Sequence, residues 1–259
     1  MTSGAALQVA VLARRALLRS ARQPATIVPS LLFPMFLLAV NSGGLEPATR
    51  IPGFPTDRYV DFALAFAFVQ GAVFATTNGG TDLARDVDTG FLNRLALTPV
   101  SGSALLVGQL AGVVALGAVQ ALFFLCVGFA AGVRIHTGVL GVLTILALAV
   151  AIGTAFAAVG AFLALRTGSG EAVQGLFPVL FIFLFLSSMA LPRNLIETDW
   201  FRTVATYNPV SYLIEAIRSL IITGWDAQAL ALGFGLAATI AVLSLAAASL
   251  ALASRLERT

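Results

Sequence analysis

The chain has 259 residues, of which 59% are hydrophobic and only 10% are charged, and its mean hydropathy is +0.96. A soluble domain carries about a quarter charged residues, so this composition excludes a protein with a fully water-facing surface. The net charge of +3 rests on arginine alone, since lysine is absent, and is too small to indicate a nucleic-acid partner.

Residues 1–23 predict a helix that lies in the membrane interface. One helical face carries Gln8, Arg15, Arg19 and Arg22, and small apolar residues lie opposite. Arginines on such a face bind anionic lipid headgroups. A solvated leader helix is the alternative. The apolar run that follows has no small-x-small cleavage pattern, so we expect an uncleaved first span rather than a signal peptide.

Six uncharged stretches are long enough, or nearly so, to cross a bilayer, which takes about 20 apolar residues. These predicted spans are Ala25–Val40, Phe62–Thr77, Ala104–Val133, Gly138–Leu165, Ala172–Ala190 and Gln228–Ser254. Prolines within the first span free backbone carbonyls, so we expect protein to cover that helix on at least one side.

The arginines predict the orientation. With both termini in the cytoplasm, nine arginines lie inside and six outside, and four of the nine precede the first span. An alanine-rich and arginine-rich chain without lysine is typical of a bacterium of high GC content. We therefore expect a multi-pass protein of a bacterial inner membrane.

None of the six stretches contains Asp, Glu, Lys, Arg or His, which argues against a proton-coupled or sodium-coupled carrier. Gln70 and Gln120 lie near mid-span, and two roles stay open for them: hydrogen bonds between helices, or the lining of a substrate path. Phe177 and Phe181 in the fifth span add apolar surface that suits a lipid or a hydrophobic drug, or simply faces lipid.

The sequence does not predict a catalytic or metal site. The one histidine, His136, has no second histidine or nearby cysteine beside it, and Cys126 lies inside an apolar run. A phosphate-binding loop requires a lysine, and this chain has none. We expect no bound cofactor, and any ATP hydrolysis must come from another subunit.

The segment between the second and third spans, residues 79–103, is the most polar stretch predicted to face the cytoplasm. Helical spacing from Leu83 to Leu97 predicts a short helix that Pro99 ends. An ordinary solvated loop is the alternative. The sharper interpretation is a short helix offered to a cytosolic protein. If a separate ATPase subunit drives this chain, we predict that it docks on this segment through Asp82, Arg85, Asp86, Asp88, Thr89, Gly90, Arg94 and Leu95.

The segment from Leu191 to Trp225 predicts two short helices that dip back into the outer leaflet. The second begins at Asn208-Pro209, a break followed by a residue suited to the first helical turn. It is too charged and too short to span, and Glu215 and Arg218, at i,i+3, are spaced to form an ion pair.

Two motifs resemble those of the ABC transporter type-2 permeases, a family that includes daunorubicin-resistance-type drug exporters and exporters of lipids or polysaccharides. The first is Asp86-Val87-Asp88-Thr89-Gly90 followed by Arg94-Leu95 and Thr98-Pro99-Val100-Ser101. The second is Leu191-Pro192, then Asn208-Pro209-Val210-Ser211-Tyr212 and Glu215-Ala216-Ile217-Arg218. The first departs from the family pattern, since aspartates replace the usual glutamates and Thr89 precedes Gly90.

The resemblance covers nearly the whole chain and implies an all-α integral membrane fold in one permease domain, residues 1–259. It comprises the interfacial helix (1–23) and a six-span bundle (25–253), with a cytoplasmic coupling helix after the second span and re-entrant outer helices before the sixth. It also implies two permease subunits, identical or homologous, and two ATPase subunits that bind ATP and Mg. ATP would then drive the coupling helix, and Asn208, Pro209, Tyr212, Glu215 and Arg218 would belong to an outer gate.

Two other functions remain as alternatives. A channel or carrier that works without ATP would transport solute as this chain alone. A membrane enzyme or scaffold would need catalytic groups at the membrane surface, where Glu197 and Asp199 form the one close carboxylate pair predicted to lie outside. The favoured cargo is a small amphipathic molecule or lipid rather than a long polysaccharide.

Overall fold

The computed structural model describes residues 24–91 and 102–256, together with Val11, Arg14, Arg15 and Leu18, which are helical. Within these residues every regular element is a helix. Short 3₁₀ turns lie at Glu46–Arg50 and Arg193–Leu195. The α-helices are α1 (Pro24–Leu45), α2 (Tyr59–Asp88), α3 (Gly102–Ala130), α4 (Gly138–Thr167), α5 (Gly170–Phe185), α6 (Asp199–Tyr207), α7 (Pro209–Ile222) and α8 (Ala227–Leu256).

Five of these helices, α1, α2, α3, α4 and α8, are long and apolar enough to cross a membrane. The apolar α5 has 16 residues, which is about 24 Å of helix and less than the ~30 Å hydrocarbon core. The chain is thus a helical multi-pass membrane protein, and its described residues contain five candidate spans and one short apolar helix. The predicted fifth span, Ala172–Ala190, was too long, because the helix ends at Phe185.

The bundle is built around α2. Of the 18-residue window that makes α2 a candidate span, 83% is buried, and α2 packs against α1, α3, α4, α5 and α7. At its first residues, Glu46 accepts a hydrogen bond from the backbone N–H of Tyr59, so the helix begins with a satisfied donor. The central position of α2 therefore brings both ends of the bundle into contact with one helix.

The crossing of α2 and α4 depends on glycine. A Cβ atom added at Gly160 would lie 2.1 Å from the carbonyl oxygen of Thr76, and one added at Gly80 would lie 2.9 Å from the carbonyl oxygen of Gly160. The two backbones therefore touch directly, as small residues allow in membrane helices.

The polar segment after the second span differs from its prediction. Residues 83–88 complete α2 rather than start a separate helix, and Gly90, with φ +67°, follows the helix end. The separate helix predicted from Leu83 is therefore wrong over these residues, since the glycines at 79 and 80 pack tightly and do not break α2. Residues 92–101 of this prediction lie outside the described residues.

The first span is covered by protein along one face, as its prolines predicted. Ser30, Pro34 and Leu38, spaced by four, are buried, whereas Leu32 and Phe36 on the other side are exposed. The Ser30 hydroxyl donates to the carbonyl oxygen of Ile27 within the proline-bearing region. Similar coverage of freed backbone groups is required wherever prolines interrupt a membrane helix.

The glycine crossing leads to a first prediction. Replacing Gly160 with alanine should destabilise the fold by about 1–3 kcal/mol, because the new methyl group forces α2 and α4 apart. Thermal unfolding of the purified protein in detergent measures this. The matched control is Gly153→Ala on the same helix, where a Cβ would meet no atom within 4 Å. Equal stability of the two variants would contradict the proposed crossing.

Candidate functional site

The residues singled out in the sequence fall into three groups along the bundle. The two ends of the bundle are named here after the ends of α2. The Asp88 end is the one at which α2 stops, and the Tyr59 end is the one at which α2 begins. The described docking residues, from Asp82 to Gly90, lie at the Asp88 end, the predicted gate residues lie at the Tyr59 end, and the predicted pathway residues lie between them.

An ion pair between Arg15 and Asp86 joins the N-terminal segment to α2 at the Asp88 end. The Arg15 guanidinium donates two hydrogen bonds of 3.1 Å, one to each carboxylate oxygen of Asp86, and also stacks 3.9 Å from the ring centroid of Phe91. The Asp86 side chain is only 4% exposed. Such a bidentate pair fixes orientation as well as distance, so Asp86 connects two parts of this chain.

The other predicted docking residues differ in exposure. Arg85, Asp88 and Thr89 are exposed, and Asp82 is half-buried. The Thr89 hydroxyl donates to the carbonyl oxygen of Arg85 and helps to end α2. Arg94 and Leu95 lie outside the described residues.

A cavity of about 450 Å³ opens between α1, α2 and α5 near the Asp88 end. Its polar wall includes Thr77, Asn78, Thr81, Asp82, Arg85 and Gln174, and its apolar wall includes Phe74 and Phe177. A neighbouring cavity of about 430 Å³ shares Thr81, Arg85 and Gln174 and continues to the start of α5 at Gly170. This volume is in the range of small-molecule pockets.

A cluster of aromatic rings lies beside the larger cavity and contributes Phe74 and Phe177 to its wall. The phenylalanine cluster consists of Phe33 on α1, Phe74 on α2, and Phe177 and Phe181 on α5. Its ring centroids lie 4.5–6.1 Å apart, which is the spacing of favourable aromatic pairs. Phe177 and Phe181, which the sequence placed on a lipid face or a pathway, therefore pack against α1 and α2.

The two glutamines have different surroundings. The Gln120 amide donates a 2.6 Å hydrogen bond to the Ser30 hydroxyl, which joins α3 to α1. The Gln70 side chain is fully buried, and neither its nitrogen nor its oxygen has a hydrogen-bond partner among the described residues. Of the two roles left open by the sequence, Gln120 forms the hydrogen bond between helices. Gln70 forms no such bond with any described residue.

At the Tyr59 end, Asn208 joins the end of α5 to the start of α7. Its amide nitrogen donates to the carbonyl oxygens of Phe183 and Leu186 at 2.6 and 3.0 Å, and its amide oxygen accepts from the backbone N–H of Val210. One side chain thus satisfies open carbonyls at a helix end and caps the next helix. Pro209 follows as the first residue of α7.

Arg218 lies buried beside this break, with 7% of the residue exposed. Its guanidinium donates to the carbonyl oxygens of Phe62, Ser188 and Met189 at 3.0–3.3 Å and lies 3.4 Å from the ring centroid of Phe62. It therefore connects α7, the chain that follows α5, and α2. Ring and carbonyl groups together compensate a buried cation.

The ion pair predicted between Glu215 and Arg218 is not formed. Glu215 instead pairs with Arg193 at 2.5 Å, and Arg193 also lies 4.5 Å over the Tyr212 ring. Burial alone would lower the pKa of Arg193, but Glu215 and Tyr212 outweigh it and raise that pKa. Arg218 faces the interior and donates to the carbonyl oxygens of α2 and of the chain after α5. Arg193, in the segment before α6, forms the ion pair with Glu215 in its place.

Sequence reasoning missed several partners of these residues, namely Arg15, Ser30, Phe33, Phe74 and Arg193. Each forms its contact across a large separation in the chain or with another helix, which neither periodicity nor spacing reveals. Within the part of the chain that the structure describes, no three histidine, cysteine or acidic side chains come together as a metal site.

Comparison with known proteins places the chain among transport permeases. The sequence model of the ABC-2 type transporter family matches residues 7–222. The probable doxorubicin resistance ABC transporter permease protein DrrC of Mycobacterium tuberculosis is 27% identical over 81% of this chain and 75% of its own length. The putative transport permease ycf38 of Porphyra purpurea is 26% identical over 85% and 76%, and that of Cyanophora paradoxa is 24% identical over 81% and 72%.

The buried arginine leads to a second prediction. Replacing Arg218 with methionine should lower the free energy of unfolding by about 2–4 kcal/mol, because carbonyl groups buried at the break lose their donors. Thermal unfolding in detergent measures it. Arg202→Met is the matched control, since the Arg202 side chain is 46% exposed. If both variants have the same thermal unfolding midpoint as the unmodified protein, Arg218 does not stabilise the break between α5 and α7.

Proposed function

The chain belongs to the ABC-2 type transporter family, and we propose that it is the membrane subunit of an ATP-driven exporter whose ATPase subunits are separate chains. The observation that carries the mechanism is the continuity of α2. One buried helix of 30 residues holds the ion pair with Arg15 near its last turn and the contact with Arg218 near its first.

ATP and Mg would bind on two partner ATPase subunits, since this chain has no lysine to form a phosphate-binding loop. The partners would dock at the Asp88 end, where Arg85, Asp88 and Thr89 offer exposed groups of both charges. The Arg15–Asp86 pair lies inside this surface. In this proposal the pair does not contact the ATPase itself. When the ATPase moves the N-terminal segment that carries Arg15, the pair passes that movement to α2.

The Tyr59 end would form the outer gate. There α6 and α7 fold back as two short helices, and α7 is packed among α2, α4 and α8. In our proposal they dip into the outer leaflet of a bacterial inner membrane while both termini remain in the cytoplasm. Opening would require Asn208 and Arg218 to release carbonyl groups that they now hold.

A second permease subunit, identical or homologous, would complete the exporter. Exposed apolar residues on α1 and α5, among them Phe36 and Ile182, offer surface for this subunit or for lipid. The cargo would be a drug-sized amphipathic molecule or lipid, which the volume of the cavity supports. Doxorubicin is a suitable first test substrate, because a relative is named for resistance to it.

Our third prediction tests the function itself. The chain should move doxorubicin into inside-out vesicles only when it is expressed with its partner ABC ATPase subunit and supplied with ATP. Vesicles with either protein alone, or with a non-hydrolysable ATP analogue, are the controls. Uphill transport by this chain without an ATPase would instead identify an ATP-independent carrier.

The fourth prediction concerns transmission. Arg15→Gln should leave the ATPase bound but reduce ATP-driven transport by about tenfold, since the bidentate contact with Asp86 is lost. Co-purification and vesicle transport measure the two effects. The control is Arg14→Gln, which removes a neighbouring exposed arginine. Equal transport by both variants would show that the ion pair does not couple the leader to α2.

A further inference from the structure

The unpartnered amide of Gln70 is the least explained group in the bundle. A buried amide without a hydrogen bond destabilises a protein, and both polar atoms of this one are unpartnered in a fully buried side chain. Gln120 shows that this bundle can satisfy a buried glutamine when the amide only joins helices. We therefore infer that the Gln70 amide forms its hydrogen bonds in a different conformation of the protein, with a group that this structure does not contain.

Gln70 lies on the face of α2 that leads into the larger cavity. Phe74 follows it by four residues and Thr77 by seven, a spacing that places the three side chains on one helical face. Phe74 and Thr77 both line the cavity. A molecule that moved from the cavity along α2 would meet the phenylalanine cluster first and Gln70 one turn later.

The phenylalanine cluster is built on helices that can bend. Phe33 is followed by Pro34 inside α1, and Phe177 is followed by Pro178 inside α5. Proline removes a helical hydrogen bond and permits a kink at the turn before it. Three rings of the cluster lie on these two helices, so a change in either kink would part the rings from Phe74.

The walls of the cavity indicate the chemistry of its ligand. Rings of Phe74 and Phe177 suit an apolar or aromatic body, and the opposite wall has hydroxyl and amide groups with one acidic and one basic side chain, Asp82 and Arg85. The cavity of about 450 Å³ is the size of a drug-like molecule rather than of a polymer.

We propose that Gln70 is a substrate-binding residue, and that the phenylalanine cluster is a gate that closes it off from the cavity. The ligand is a small amphipathic molecule whose aromatic or apolar body packs on the cluster. Its hydrogen-bonding group reaches the Gln70 amide once the rings part. The substrate part of this proposal rests on the exporter function proposed above, whereas the gate does not.

Thiol labelling tests the gate without an ATPase. In a Cys126→Ser background, which removes the single native cysteine, Gln70→Cys in lipid nanodiscs should react slowly with a charged methanethiosulfonate reagent. Adding Phe74→Ala should speed this reaction roughly tenfold, since the cysteine becomes reachable from the cavity. Thr81→Cys, in the cavity wall, should react fast in both backgrounds, and Gln120→Cys, outside that wall, should stay slow in both.

Two results would overturn the gate. One is fast labelling of Gln70→Cys while Phe74 is intact. The other is no acceleration by Phe74→Ala, or an equal acceleration at Gln120→Cys, which would show general loosening. If Phe74→Ala does not yield monodisperse protein, Phe177→Leu replaces it, because this variant removes a ring with less loss of volume.

Transport by the assembled exporter tests the binding role. Gln70→Met should lower ATP-driven doxorubicin transport about fivefold, the loss expected for one hydrogen bond, without lowering the thermal unfolding midpoint. Gln120→Met is the matched control and should lower stability instead. Unchanged transport by Gln70→Met would overturn the binding role. A lack of transport by the unmodified assembly would contradict the exporter function and leave the labelling result standing.

Discussion

Satisfying backbone hydrogen bonds at helix ends without water is the constraint on which this structure depends. In hydrocarbon every open N–H or C=O group must find a partner within the protein. Side chains from distant parts of the chain supply such partners: Arg58 donates to the two carbonyl oxygens that follow α3, His136 and Thr137 contact the end of α7, and Arg255 donates to the end of α4. The bundle is held together at its two ends by the bonds that keep each helix satisfied.

The same constraint explains why the Tyr59 end can hold irregular backbone. The chain leaves the helix at Phe185, and Asn208 and Arg218 donate hydrogen bonds to carbonyl groups that the helix no longer satisfies. Because Arg218 lies on α7 and Asn208 directly precedes it, a movement of α7 away from α2 and from the end of α5 would leave several carbonyl groups without donors at once. A break of this kind favours two discrete arrangements over gradual opening, which is the behaviour that a gate requires.

Much of the fold could be predicted from the sequence, because uncharged length is a direct signal of membrane helices. The two short helices before α8 could be predicted from Asn208-Pro209, and the cover on α1 from its prolines. The shorter α5 could not, since Asn208 and Arg218 end that helix from distant positions in the chain. The cavity, the Arg15–Asp86 pair and the unpartnered Gln70 were equally hidden, because each depends on which helices become neighbours.

In the proposed exporter, α2 links the Asp88 end, where the ATPase would dock, to the break at the Tyr59 end. Hydrogen–deuterium exchange of residues 186–192 in the assembled exporter, compared with and without ATP, tests this link most directly. If α2 carries the movement, ATP changes the protection of these amides, and Arg15→Gln abolishes that change while the ATPase stays bound. Unchanged protection during active transport, or the same response in Arg15→Gln, would contradict the account.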